Sequence, residues 1–399
     1  MSMTQEDPLF WQFSLTFFNL LAWVAILAGA LWMGWKLSWG RLVAVTAFVT
    51  LDLIAFGAFV RLTDSGLGCP DWPGCYGKFL PTQAKAEIDA AIAEQGGTHG
   101  PVSHGKAWIE MLHRYVASFI GALIVAMVIR AAAARLHAAD AAARARAMAP
   151  VGLGWPLLLL AVVLVQGLFG KWTVTLKLMP IVVTAHLLGG MTLFALLVWF
   201  WMRERARAGE DSAQRLGAPG SVRLWLWVAI AALYGQIFLG GWVSTNYAVM
   251  ACPDFPGCHG SLLPKVDYAE GFALLRELGR NPDGTMLSIE GLRAIHWAHR
   301  LGAVAVTVII VAAALVLMRR QPALRREALW IKSALLVQLL IGVGTVVFDQ
   351  PIVLATAHNF FAAVLLATLL VAAWRAGPVA QVETAGLTPA ATAARHSSA

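Results

Sequence analysis

The chain has 399 residues, of which 59% are hydrophobic and 13% charged, with a formal net charge of +8. Soluble domains carry roughly 25% charged residues. The balance therefore excludes a disordered chain, a secreted disulfide scaffold and an ordinary cytosolic enzyme, and leaves a polytopic membrane protein. The basic residues form no face interleaved with aromatics, which argues against nucleic acid as a partner. They gather instead between apolar runs, at Lys36 to Arg41, Arg130 to Arg146, Arg203 to Arg223 and Arg319 to Lys332, the pattern that keeps loops cytoplasmic. Glu6 and Asp7 stand where a secretory signal would be basic, so no cleaved signal peptide is expected.

Nine apolar runs reach the roughly 20 residues needed to cross a bilayer: 12–35, 42–62, 107–130, 151–171, 181–202, 223–244, 292–318, 330–348 and 352–374. In hydrocarbon each must be helical, because no water is present to satisfy exposed backbone groups. With the basic clusters inside, the N-terminus lies outside and the C-terminus in the cytoplasm. The long loops 63–106 and 245–291 then face the oxidising side, and each carries one of the two cysteine pairs, where disulfides persist. The tail after Gly377 is rich in Ala, Thr and Pro and reads as disordered.

The chain repeats itself. Gly57-Ala58-Phe59-Val60 ahead of CPDWPGC returns as Gly240-Gly241-Trp242-Val243 ahead of CPDFPGC. Leu112-His113-Arg114 returns as Ala298-His299-Arg300, Thr184-Ala185-His186 as Thr356-Ala357-His358, and Gln166 with Gly170 as Gln338 with Gly342. Four helices per copy is an even number, so both copies enter the membrane from the same side, as parallel repeats about an axis along its normal. The expected fold is thus an all-α polytopic membrane protein of two four-helix bundles with one extra N-terminal transmembrane helix. Its parts are the extra helix (1–41), a first half (42–203), a cytoplasmic linker (204–222), a second half (223–375) and the tail (376–399).

Four of the ten histidines, His113, His186, His299 and His358, sit inside apolar runs at repeat-related places. An ionisable residue within a span is costly and marks function by default. Each lies about five or six residues in from the outer side, or roughly 8–9 Å. Within each half one histidine is on the second helix of the unit and one on the fourth. Two imidazoles at one depth on facing helices can ligate a haem iron axially, whereas zinc wants three or four ligands at closer spacing. The halves differ one turn before the first histidine, with Glu110 in one and His296 in the other. Residues three apart share a helix face, so the Glu110 carboxylate stands beside whatever His113 ligates, able to exchange protons or stabilise positive charge. Its alternative is a headgroup-level carboxylate paired with a cation. The asymmetry points to one haem as substrate and the other as electron carrier.

Arg114 and Arg300 follow the ligand histidines and can bond haem propionates or snorkel to headgroups; Arg61 is a further candidate for the same contact. Asp52 is expected to face the bundle interior. Cys69 with Cys75 and Cys252 with Cys258 have the spacing and turn residues for local disulfides. A loop staple, a redox role at the first pair and a four-thiolate zinc site all remain open.

These residues resemble the heme A synthase family, on the motifs GAFVRLTDSGLGCPDWPGC, EMLHRYVAS, GKWTVTLKLMPIVVTAHLLGG, GGWVSTNYAVMACPDFPGC, HWAHRLGA and TAHNFF, which extend across about 42–374. The resemblance implies eight helices in two similar halves, and oxidation of the C8 methyl of heme O to a formyl group, giving heme A for cytochrome oxidase. It implies that His113 and His186 ligate the substrate haem, that His299 and His358 hold a heme b, and that Glu110 is the catalytic carboxylate. Cys69 and Cys75 would be the family's outer-loop disulfide, of the bacterial type with paired cysteines, in a bacterial inner membrane. Heme O synthase would supply the substrate, and an unidentified partner would exchange electrons. The first helix departs from the family pattern. Two competing readings share the four histidines: a diheme cytochrome b that leaves haem unaltered, which predicts equivalent halves, and a haem transporter, which needs an opening to both sides.

Overall fold

A computed structural model describes residue 21 and residues 24–97, 99–136 and 152–379. Eight helices in it are long and apolar enough to cross a membrane, and the described residues contain no strand beyond isolated bridges. In chain order the helices are α1 (Val24–Lys36), α2 (Trp39–Leu62), α3 (Lys85–Glu94), α4 (His104–Leu136), α5 (Gly154–Thr175), α6 (Pro180–Arg207), α7 (Gly220–Thr245), α8 (Ile289–Arg320), α9 (Arg325–Val347) and α10 (Ile352–Arg375). All but α1 and α3 are the candidate spans. The all-α, multi-pass expectation holds. Of the extra span expected over 12–35, the described part is α1, which docks on α4: Arg130 donates to the carbonyls of Gly34 and Leu37 at 2.6 and 2.7 Å. The rest of that span and the tail expected to be disordered lie outside the described residues.

Helix α2 packs on α4, α4 on α5, α5 on α6 and α6 back on α2; α7, α8, α9 and α10 close a second ring in the same way. The rings meet through α2 with α10, α6 with α7 and α6 with α10. Lipid offers no hydrophobic drive for helices to associate, so close packing of small residues must hold them. Ala313, Ala314, Ala362, Ala363, Ala372 and Ala373 supply it in the second ring, in one buried cluster that also takes in Ile54, Met191 and Phe194 of the first. The outward faces are the apolar ones: Leu164 and Leu168 on α5, Val304 and Val308 on α8, and Leu336 and Leu340 on α9 are exposed.

Asp52 corrects an expectation. On α2 the buried residues are Leu42, Val43, Thr46, Ala47, Thr50, Ile54 and Val60, a helical stripe that leaves residue 52 on the opposite side. Asp52 is exposed and does not face the bundle interior.

Helices α4 and α8 begin three residues earlier than expected, at His104 and Ile289, and so extend beyond the apolar runs into the two cysteine-bearing segments. The first loop contains α3, a helix that its Ala- and Glu-rich sequence did not announce beside the apolar runs. The two cysteine segments fold alike. Each has a cis proline (Trp72-Pro73, Phe255-Pro256), a bridge between Cys75 and Lys78 or Cys258 and Ser261, and an aspartate that accepts two backbone N–H bonds. Asp71 takes those of Tyr76 and Gly77 at 2.6 and 2.7 Å, and Asp254 those of His259 and Gly260 at the same distances. Each bond ends in a left-handed pair, Tyr76-Gly77 or His259-Gly260. On the opposite side the connection between halves is tied to the end of α10, where Leu216 and Ala218 donate to the carbonyls of Arg375 and Ala376 at 2.7 and 3.1 Å.

Candidate functional site

The four intramembrane histidines meet four glycines. Gly57 on α2 faces His113 on α4, Gly170 on α5 faces His186 on α6, Gly240 on α7 faces His299 on α8, and Gly342 on α9 faces His358 on α10. A methyl group added at these glycines would lie 3.1, 3.5, 3.0 and 2.7 Å from the imidazole Cε1, and 3.4 Å is about where ordinary contact begins. Backbone approach of this closeness is what glycine permits. The sequence had shown these glycines as repeated positions without showing what they touch.

Glutamines contact three of the four histidines. Gln236 donates to the His299 carbonyl at 2.9 Å and lies 3.0 Å from its Nδ1. Gln338 lies 3.3 Å from His358 Nε2, and Gln166 donates to the His186 carbonyl at 3.2 Å. Gln236 stands where the first half has Leu53, so the repeat could not reveal it; its polarity within an apolar helix was the available signal.

The rings of His299 and His358 lie 6.4 Å apart between centroids, with planes at 84°. Two metal–nitrogen bonds of about 2.0–2.1 Å each, plus the distance from each nitrogen to its ring centre, span about 6 Å. One iron therefore fits between them. Nδ1 of His113, His186 and His358 is buried without a hydrogen-bond partner, an unusual condition for a buried polar atom and the one a ligand would relieve. In the first half the ring of Phe56 lies 6.1 Å from that of His113. The donor set, imidazoles in an apolar bundle, fits haem iron. No cluster of three or more His, Cys, Asp or Glu able to hold a bare metal ion occurs among the described residues.

Glu110 is buried and committed at both oxygens. Oε2 accepts the Cys69 backbone N–H at 2.9 Å, and Oε1 accepts from the Arg114 guanidinium at 2.5 Å. Arg114 also donates to the carbonyls of Asp71, Pro73 and Gly74. Arg300 repeats the pattern with the carbonyls of Cys252, Asp254 and Gly257, and touches His296 at 3.3 Å where Arg114 has its glutamate. Both guanidinium groups thus hold the cysteine loops down on the helices that carry the histidines. The cysteines close within each loop, Cys69 with Cys75 at 2.10 Å and Cys252 with Cys258 at 2.00 Å, which removes the four-thiolate zinc alternative. Arg61 lies between the halves: it pairs with Asp64 at 3.1 Å, donates to the Ser244 carbonyl at 2.8 Å and stacks on Tyr247. One buried cation was missed. Arg276 bonds Asn246 at 2.7 Å and leaves Nε and a terminal nitrogen unpaired.

The profile of the COX15-CtaA family, described as cytochrome oxidase assembly protein, matches residues 40–370. The chain belongs to this family. It is similar to proteins named heme A synthase: 37% identical over 345 residues to that of Shewanella oneidensis, covering 84% of this chain and 95% of that protein. It is 28% identical over 363 residues to that of Erythrobacter litoralis (86% and 98%), and 27% over 350 residues to that of a Caulobacter species (83% and 94%). The match begins at residue 40, after α1, so the family's own part of the chain is α2 to α10 with the loops between them.

Proposed function

We propose that this membrane protein is an oxidoreductase that converts heme O into heme A by oxidising the C8 methyl of the porphyrin to a formyl group. The observation that carries the reading is the set of four partly buried histidines, each against a glycine, in a chain whose relatives are named for this synthesis. His113 and His186 hold the substrate in the first half. His299 and His358 hold a heme b in the second, a group that supplies reversible one-electron storage when bound. The alternative of a plain diheme cytochrome predicts equivalent halves, and Glu110 against His296 is unequal where chemistry would differ.

Residues of this chain then have distinct tasks. Gly57 lets α2 approach His113 more closely than a side chain there would comfortably allow. Glu110, three residues and about 4.5 Å along the helix from His113, holds a carboxylate that moves a proton or offsets positive charge developing at the methyl carbon. Arg114 and the Cys69 N–H fix that carboxylate's orientation, and the disulfide fixes the N–H. The cysteine loops lie on the periplasmic side of a bacterial inner membrane and the basic connections in the cytoplasm. Heme O synthase supplies the substrate and a separate partner accepts the electrons.

The test is chromatography of haems extracted after co-expression with a source of heme O. Heme A is expected from the native protein, and unconverted heme O, still bound, from Glu110→Ala. Heme O left unconverted by the native protein refutes the reading; normal heme A yield from Glu110→Ala removes that carboxylate from the mechanism.

A further inference from the structure

The internal repeat makes two crevices between the halves, α2 against α10 and α7 against α6, and they differ. In the second, Phe238 and Trp242 stack at 5.9 Å and pack with Ile181 of α6. The Trp242 indole donates to the Gly271 carbonyl of the outer loop at 2.9 Å. Thr184 on α6 lies 3.2 Å from Thr245, hydroxyl to hydroxyl. This crevice is full, and its polar groups are paired.

In the first crevice Ala55 stands in place of Phe238 and Phe59 in place of Trp242. What remains is a groove of about 340 Å³ lined by Ala55, Phe59, Val353, Thr356, Ala357 and Phe360. That is within the range of small-molecule sites. Val353 is largely exposed, so the groove opens to lipid. Thr356 is the counterpart of Thr184, yet its hydroxyl is buried and without a partner. Thr46, Thr50, Thr192, Thr307 and Thr345 all bond the carbonyl four residues back in their helices, and Thr356 does not. A buried unpaired hydroxyl costs free energy unless something completes it.

The groove also lies on the faces of α2 and α10 turned away from the histidines. Ala55 and Phe59 occupy the side of α2 away from Gly57, which faces His113. Thr356 is about 200° around α10 from His358. We infer that this groove binds a lipid-soluble quinone, whose ring and isoprenoid tail lie on Phe59 and Phe360 and whose carbonyl oxygen accepts from the Thr356 hydroxyl, enclosed in the free protein, once that side chain turns about χ1 toward the groove it lines. The apolar lining and lipid opening select a membrane-dissolved molecule. The single polar group selects one with an acceptor oxygen rather than a bare acyl chain.

The inference rests on the heme A reading for its chemistry. Two C–H bonds are replaced by a C=O, and with water as the oxygen source the balance is R–CH3 + H2O + 2 Q → R–CHO + 2 QH2. The methyl carbon is oxidised, and each quinone takes up two electrons and two protons.

The experiment uses the full chain purified with its haems and a short-tailed quinol, run in reverse: stopped-flow absorbance follows quinol-driven reduction of the haem. Ala55→Phe writes the filled crevice's residue into the open one, and Thr356→Val removes only the hydroxyl. Reduction slowed tenfold or more in both, with dithionite-reduced spectra unchanged, supports the site. Native haem inert to quinol, or variants as fast as native, overturns it. So does loss of a phospholipid from Ala55→Phe, by native mass spectrometry, with quinol reduction unaltered. Slowed reduction in the variants while native protein fails to make heme A from supplied heme O supports the groove and refutes only the function reading.

Discussion

Gly342→Ala measures how closely the second site is built. A methyl there would stand 2.7 Å from His358 Cε1, whereas one at Gly170 would stand 3.5 Å from His186 Cε1. Overpacking of this kind costs about 1–3 kcal/mol. A ring free of iron can turn away from the methyl, so the cost falls on the ligated state and weakens haem retention about 5- to 150-fold, at roughly tenfold per 1.4 kcal/mol. Exchange of Gly for Ala within a helix also returns about 0.8–1 kcal/mol, but to ligated and free protein alike, so it raises thermal stability without altering haem affinity. Gly170→Ala is expected to gain that stability and keep its haem. The assay is transfer of haem to an apo-globin acceptor, with haem-to-protein ratios and reduced-minus-oxidised spectra. Equal retention in Gly342→Ala and native protein refutes the argument that the glycine exists to seat His358, and so does equal loss in Gly170→Ala.

His299→Met or His358→Met is expected to abolish the protohaem spectrum while heme O remains extractable from the first half. Arg114→Ala strands the Glu110 carboxylate in a buried site, a change worth about 3–5 kcal/mol, and frees the Cys69–Cys75 segment; thermal unfolding and protease cleavage within 63–103 report both effects. Removing either disulfide as a Cys→Ser pair is expected to cost about 2 kcal/mol from loop closure, read in the same unfolding assay. Backbone N–H bonds from Gly260 and His259, with Arg300 nearby, hold the Asp254 carboxyl below the usual carboxylate range. Its contribution is therefore complete above the unfolded value of about 3.9 and is lost as pH falls through the lower folded value. Protection factors of the His259 and Gly260 amides, taken relative to intrinsic exchange at each pH, are expected to hold near pH 4 and fall below it, and loss of protection already at pH 6 contradicts this.

Lipid makes the helices unusually legible: a run of about 20 apolar residues has little else to become. All eight family helices were visible as apolar runs, with ends displaced by a few residues where α4 and α8 extend into water and periodicity no longer marks a boundary. The histidines were legible because charge in hydrocarbon is costly, and the repeat aligned them. Contacts that depend on a third helix were not. Nothing local in sequence says that Gly342 meets His358, or that Arg114 reaches the Asp71 and Gly74 carbonyls. Asp52 was placed inward on polarity alone, and the stripe of Val43, Ala47, Thr50 and Ile54 turns it outward. Gln236 and Arg276 have no repeat partner, so comparison of the halves was blind to them.

The contacts of Arg61 with Ser244 and of Asp64 with Tyr247 join positions 183 residues apart, the same offset that separates Cys69 from Cys252. Each residue therefore touches its own counterpart. Two separate identical subunits around such an axis could offer only like against like there: aspartate against aspartate, or tyrosine against tyrosine. Tethering both copies in one polypeptide lifts that restriction, so acid can meet phenol, and a cation can lie against a serine instead of a second cation, at the seam. Unequal halves become possible first where they join.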